Sequence, residues 1–243
     1  MKVLNPLTIN EKDIFSLLME RKRKTTVERF SFSPYTREQI FQMLIASCQA
    51  EVRCRGRKFE YTQEYKHHVE EISSWLATKD RSSFGLFLCG NRGNGKSTMV
   101  NAMKSLYQFL DDAPAAEPGL KFPRPGFEIV SAKELVRLTK AYLNPGKENH
   151  EDVYIYKWLR DKEILCIDDL GTEPRESMNY GDYVTAVMDM INFRYEHQLT
   201  TIATSNLAPG EIKDYYDERF ADRFREMMTV INFGNEKSFR MSL

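Results

Sequence analysis

The chain has 243 residues, 42% of them hydrophobic, and its 35 basic and 35 acidic side chains leave no formal net charge. That balance excludes nucleic-acid binding by bulk charge, so any such contact has to come from local patches. No apolar run reaches the roughly 18 residues of a membrane span, Met1 to Pro6 begin no signal-peptide apolar region, and Cys48, Cys54, Cys89 and Cys166 lack metal-ligand spacing. A soluble, cytoplasmic chain with reduced, packing cysteines is expected.

Residues 1–80 read as helical. Asn10 is placed to cap a first helix, which runs into the basic stretch Arg21 to Lys24. That stretch has two readings, a solvated helix end or a contact with nucleic acid or an acidic partner. Thr36 with Gln39 forms a capping box for a second helix that buries Ile40, Phe41, Leu44, Ile45, Cys48 and Val52. Arg53 to Lys58 make a second basic cluster. A third helix from about Thr62 carries Tyr65, Val69, Ile72, Trp75 and Leu76 at core spacing. His67 and His68 have no Cys or carboxylate partner at ligand spacing and read as surface residues. Lys79 to Ser83 is a polar link, which divides the chain into a helical N-terminal unit, 1–80, and a second unit, 81–243.

The second unit opens on its most informative stretch. Leu86 to Cys89 read as a buried strand, Gly90 to Gly95 as a loop, and Met99, Val100, Met103, Leu106 and Leu110 as one face of a helix. Gly90, Asn91, Arg92, Gly93, Asn94, Gly95, Lys96 and Ser97, followed by Thr98, satisfy the P-loop pattern Gly-x-x-x-x-Gly-Lys-Ser/Thr in the strand–loop–helix context it requires. Glycines let backbone N–H groups curl around phosphate oxygens, and the helix N-terminus adds partial positive charge. Lys96 is placed for the outer phosphates and the Ser97 hydroxyl for Mg2+. Residues 111–126 read as an exposed excursion. Phe127 to Val130 form a strand, Ser131 with Glu134 caps a helix that Asn144-Pro-Gly146 stops, and Tyr154 to Leu159 suggest another.

Ile164 to Ile167 form a second buried strand ending in Asp168-Asp169-Leu-Gly-Thr-Glu173. Acids at the end of an apolar strand downstream of a P-loop suit a metal-holding role for Asp168 and water polarisation by Asp169, with Glu173 a second candidate. The same pair also occurs as a plain strand-end turn. Asp182 to His197 read as a helix, Thr200 to Asn206 as a third strand whose terminal amide is placed to orient water or touch a γ-phosphate, and Asp214 to Met228 as a helix bearing Arg219, Arg223 and Arg225. Thr229–Phe233 and Ser238–Met241 complete the expected strands. The alternation predicts an α/β fold with a mostly parallel sheet and helices on both faces, with Gly90, Asp168 and Asn206 converging at the strands' carboxyl ends.

In this order, the P-loop, Ile-Asp-Asp-Leu-Gly-Thr-Glu, Arg194-Tyr195-Glu196, Thr-Ser-Asn206-Leu and Glu218-Arg219-Phe-Ala-Asp222-Arg223 resemble AAA+ ATPases of the DnaC/DnaI helicase-loader and IstB-like group. The resemblance runs from Phe84 to the C-terminus. It implies an AAA+ core without a helical lid or a sensor-2 arginine, a sensor-1 role for Asn206, and Arg223, with Arg219 as a second candidate, reaching a neighbouring subunit's nucleotide as an arginine finger. The alternative for these arginines is a salt-bridged helix face with Glu218, Asp222 and Glu226. Two departures stand out: Arg92 where such loops usually carry Pro early, and Asp169 where Glu is common, which suits slow hydrolysis. The expected function is a DNA-replication ATPase that binds ATP and Mg2+, single-stranded DNA and a replicative helicase, and assembles as a homo-oligomer. An IstB-like transposition ATPase with a transposase partner is the nearest alternative, ahead of a small-molecule P-loop kinase or a non-hydrolysing adaptor.

Overall fold

The computed structural model describes residues 10–23, 29–112, 126–143, 150–174, 177–179, 182–234 and 238–239. Three helices lead the chain: α1 (Glu11–Arg23), α2 (Arg37–Arg53) and α3 (Gln63–Ala77). Then follow β1 (Gly85–Cys89), α4 (Lys96–Asp112), β2 (Phe127–Ser131), α5 (Ala132–Leu143), α6 (His150–Asp161) and β3 (Ile164–Leu170). The remaining elements are β4 (Ser177–Asn179), β5 (Asp182–Val184), α7 (Ala186–Glu196), β6 (Thr200–Ser205), α8 (Ile212–Tyr215), α9 (Glu218–Met227) and β7 (Met228–Asn232). Among the described residues, no helix is long and apolar enough to cross a membrane. The expected excursion lies largely outside the described residues, as does the stop at Asn144 to Gly146.

Five strands pair in the order β2-β3-β6-β1-β7, every pair parallel. Parallel pairing demands a crossover between strands, and the helices supply it on both faces. All five residues of β1 are buried, so successive side chains feed opposite layers. Leu86 and Leu88 point to the layer of α2, α3 and α4, among Leu44, Ile72, Met99 and Met103. Phe87 and Cys89 point to the layer of α5, α6, α7 and α9, against Leu135, Met190 and Phe224.

Local chemistry follows the sequence closely at the helix starts. Asn10 Oδ1 accepts the Asp13 N–H at 2.9 Å. Thr36 and Gln39 form the reciprocal box, at 3.3 and 2.9 Å. Ser131 Oγ accepts the Glu134 N–H at 3.1 Å. Cys48, Cys89 and Cys166 are buried, and burial pushes the Cys48 thiol up to about 12, which keeps it protonated.

Several expectations need correction. The helix expected from Asp182 starts only at Ala186, because residues 182–184 pair with β4 in a short antiparallel ladder. Tyr183, Val184 and Thr185 are β-formers, and the Val184–Val187 spacing imitates a helical period. The helix expected over Asp214–Met228 breaks at Tyr216, and Asp217 restarts it by accepting the Phe220 N–H at 2.6 Å. Ser238 and Phe239 join no strand; the Phe239 N–H donates instead to the P-loop, at Gly93 O. The rest of the strand expected at 238–241 lies outside the described residues. His67 is exposed, but His68 turns inward and stacks on Phe233 with centroids 4.3 Å apart. The polar link near residue 80 does not separate two cores either. Ser47 of α2 donates to Ala102 O of α4 at 2.8 Å, and α2, α3 and α4 share one apolar layer with the sheet.

Arg194 shows how the far layer is locked. It is fully buried, yet each of its five N–H groups has an acceptor. Nε donates to Thr201 Oγ1 at 2.9 Å, Nη1 to Arg160 O and Lys162 O at 3.1 and 2.7 Å, and Nη2 to Glu163 O and Thr200 O at 3.3 and 2.6 Å. The end of α6, the start of β3 and the start of β6 are thus pinned to α7. Arg194→Lys, with fewer donors and no planar fork, is expected to cost about 2–4 kcal/mol. Urea denaturation measures this; an unchanged midpoint would mean that the pin is dispensable.

Candidate functional site

The site forms where β1, β3 and β6 end side by side. Gly90 to Gly95 wrap the start of α4, which begins at Lys96. Gly93 and Gly95 have φ of +89° and +93°, and a Cβ on Gly95 would stand 3.0 Å from the Tyr65 ring. Glycine is therefore required there by backbone conformation and by the approach of α3. Lys96 is buried, and its ammonium donates to Gly90 O at 2.6 Å, Asn91 O at 2.7 Å and Asn206 Oδ1 at 3.3 Å. These acceptors are neutral, and a phosphate oxygen would be a stronger one.

Ser97 Oγ donates to Asp168 Oδ1 at 3.0 Å, which joins the first turn of α4 to the end of β3. Thr204 Oγ1 donates to the same oxygen at 2.6 Å and accepts the Asp169 N–H at 2.9 Å. The β3–β6 register explains the arrangement. Ile167 faces Ala203 and Leu170 faces Ser205, so Asp168 and Asp169 together oppose Thr204. A bulge of this kind bends the strand and re-aims a side chain. Asp169 has a φ of +60°, rare for a non-glycine residue, and is exposed while Asp168 faces Ser97. Thr204, fully buried, is the residue that motif reading missed. Its signal was a hydroxyl at a strand end two positions before Asn206.

The other sequence candidates divide clearly. Gly90, Lys96, Ser97, Asp168 and Asn206 are linked in one cluster, with Asp169 beside it. Asn91 and Arg92 are exposed on the loop, and Thr98 is half-buried on the first turn of α4. Asn94 is fully buried, and its amide donates to Phe233 O and Gly234 O rather than into the cluster. Glu173 is buried, and its carboxylate accepts the Gly171 N–H at 2.9 Å and the Tyr216 hydroxyl. Burial and the Glu173 charge push the Tyr216 phenol well above its ordinary value, so it remains a donor. Glu173 therefore braces the turn after β3 against α8, and the geometry speaks against its expected role at the reacting water. Arg223 Nη1 donates to Asn192 Oδ1 at 2.9 Å, lies 3.6 Å from Glu196 and sits over the Tyr195 ring. Arg219 is exposed. Among the described residues neither arginine bonds to the cluster of its own chain.

No protein-family model matches the chain, and no curated relative does. Among solved structures, the DnaC helicase loader aligns with a TM-score of 0.51 at 18% identity, covering 72% of this chain and 92% of that one. DnaI aligns with a TM-score of 0.52 at 18% identity, covering 84% of this chain and 96% of that one. The shared feature is the fold, an α/β core built on a parallel sheet.

The contrast between the two acids is measurable. Glu173→Ala removes the acceptor of a half-buried N–H and a half-buried hydroxyl, and is expected to lower stability by about 1–3 kcal/mol. Asp169→Asn, at an exposed position that keeps its backbone bonds, is expected to stay within about 0.5 kcal/mol of the parent. Thermal unfolding compares them; equal losses would refute the assignment of Glu173 as a brace.

Proposed function

From the AAA+ fold that this chain shares with DnaC and DnaI, we propose that it is an ATP-binding, ATP-hydrolysing protein of DNA replication. The observation that supports this best is the linked cluster Lys96–Asn206 and Ser97–Asp168–Thr204 at the ends of three adjacent strands. The chain's own groups fit a nucleoside triphosphate with Mg2+. Gly93 and Gly95 give the turn before α4 the positive φ angles that let its backbone curl, and the hydroxyl–carboxylate pair suits a hard cation and its water ligands. Bound Mg2+ would neutralise charge on the phosphates. Lys96 would bind the outer phosphates, Ser97 and Asp168 would hold the ion, and Thr204 would keep Asp168 aimed. Asp169 would take a proton from the attacking water, and Asn206 would orient it.

One part of this machinery would come from a second copy. Arg223 is held by α7 in its own chain, whereas Arg219 projects into solvent on the same helix. Arg219 is thus the better placed of the two to reach a neighbour's phosphates, with Arg223 fixing the orientation of α9. Hydrolysis would then depend on assembly.

Partner binding falls to the N-terminal region. On α1, Ile14, Phe15, Leu18 and Met19 lie along one face and are 45%, 64%, 50% and 41% exposed. An amphipathic helix with an uncovered apolar face suits a groove on another protein. A replicative helicase is the proposed partner, with single-stranded DNA as the substrate on which the assembly works. The expected basic contacts are Arg21 to Lys24, Arg53 to Lys58 and Arg92; of the first cluster only the side chain of Arg21 is among those described.

Two measurements test this reading. Lys96→Ala is expected to weaken binding of a fluorescent ATP analogue by about a hundredfold or more; parental affinity would sink the cradle assignment. Arg219→Ala is expected to leave the monomer's nucleotide affinity intact while lowering turnover of the assembled protein by about a hundredfold or more. Turnover that rises with protein concentration equally in parent and variant would remove Arg219 from the site.

A further inference from the structure

The chain leaves the sheet at the end of β7, beside β1, and so at the same end as the P-loop. The Phe233 N–H donates to Cys89 O at 2.8 Å, continuing the ladder. The Asn91 N–H then donates to Gly234 O at 3.2 Å. The Asn94 side chain donates to Phe233 O and to Gly234 O, both at 3.1 Å. Further along, the Phe239 N–H donates to Gly93 O at 3.1 Å. The approach is close: a Cβ on Gly93 would stand 1.9 Å from Ser238 Oγ, and one on Gly90 3.0 Å from the Gly234 backbone.

The same residues reach α3. The Tyr65 ring meets Phe233 and Phe239 edge-on, with centroids 6.5 and 5.9 Å apart, and His68 stacks on Phe233. Tyr65 is also the residue packed against Gly95. The loop, Phe233–Gly234, Ser238–Phe239 and α3 therefore form one packed unit. Where the segment holds the loop matters as much. Among the described residues, its bonds to the loop use the Asn91 N–H, the Gly93 carbonyl and the Asn94 side chain, whereas a P-loop turns the amides that follow towards phosphate.

We propose that Phe233–Gly234 and Ser238–Phe239 form a tether that holds the P-loop in its phosphate-ready shape, with Asn94 and Phe239 as positioning residues. Tether closure and nucleotide binding then favour each other, and the occupied loop stiffens α3 through Tyr65 and Phe233. A contact that stabilises the binding-competent loop must itself be stabilised by the ligand, by the reciprocity of linkage. Asn94 thereby acquires a role other than phosphate contact: it reads the tail. The proposal rests on the nucleotide-binding reading given above.

The test uses the full chain, a fluorescent ATP analogue and amide hydrogen exchange. Saturating analogue is expected to slow exchange of the Asn91 and Phe239 amides by about tenfold or more. Phe239→Ala, at a half-buried position, is expected to weaken analogue affinity by about tenfold, and Phe239→Leu to restore most of it. Asn94→Ala is expected to act similarly, and the double variant to lose no more than either single, because both cut one tether. A tail that merely supports the fold would show no nucleotide-dependent exchange. If the parent binds the analogue while both amides exchange at unchanged rates, or if Phe239→Ala keeps parental affinity, the tether is wrong and the nucleotide site stands. If the parent binds no analogue at all, both fall.

Discussion

Where β3 pairs with β6, two consecutive acids stand opposite Thr204, and the geometry of the site follows from that mismatch. A regular ladder would give alternate residues to alternate faces and send the two carboxylates in opposite directions across the sheet. The bulge instead keeps Asp168 toward Ser97 and lifts Asp169 outward in a left-handed conformation. That conformation needs support. Thr204 gives it by accepting the Asp169 N–H, and Thr172 by donating its hydroxyl to Asp169 O at 2.8 Å. The turn beyond is braced by Glu173 through Gly171 and Tyr216. A short run of acids thus separates into a group facing Ser97, a solvent-facing group and a bracing one.

The far layer serves the same end from behind. Arg194 ties α7 to the segments that enter β3 and β6, and the next two residues continue outward from it. Tyr195 donates to Glu226 of α9, and Glu196 flanks Arg223. One tripeptide thereby sets both the depth of the strands and the pose of the arginine-bearing helix. Arg219 and Arg223 of α9 differ by partner rather than by type, since Arg223 is anchored to α7 and Arg219 faces solvent.

On the near layer, α2 and α3 pack as one unit with α4 and the glycine loop before it. Their apolar faces are completed by α4 and the sheet, and Tyr65 stands directly behind Gly95. α1 is different in kind, because its apolar face meets no such partner among the described residues and stays exposed. A change at the P-loop thus has a packed route as far as α3.

The sequence by itself determined the local decisions. It placed the caps at Asn10, Thr36 and Ser131, the buried strands, the glycine loop before Lys96 and the order of the motifs, because each depends on neighbours a few residues away. Tertiary structure decided everything set by distant contacts. Strand order, the bulge that separates Asp168 from Asp169, the inward turn of His68 and the diversion of Glu173 from chemistry to bracing all depend on partners far along the chain. The joining of α2 and α3 to the sheet was hidden for a related reason: an amphipathic pattern says that a face will be buried, not against what. The seating of Phe239 on Gly93 lay furthest from view, since a backbone hydrogen bond between residues 146 positions apart leaves no periodic mark in either segment.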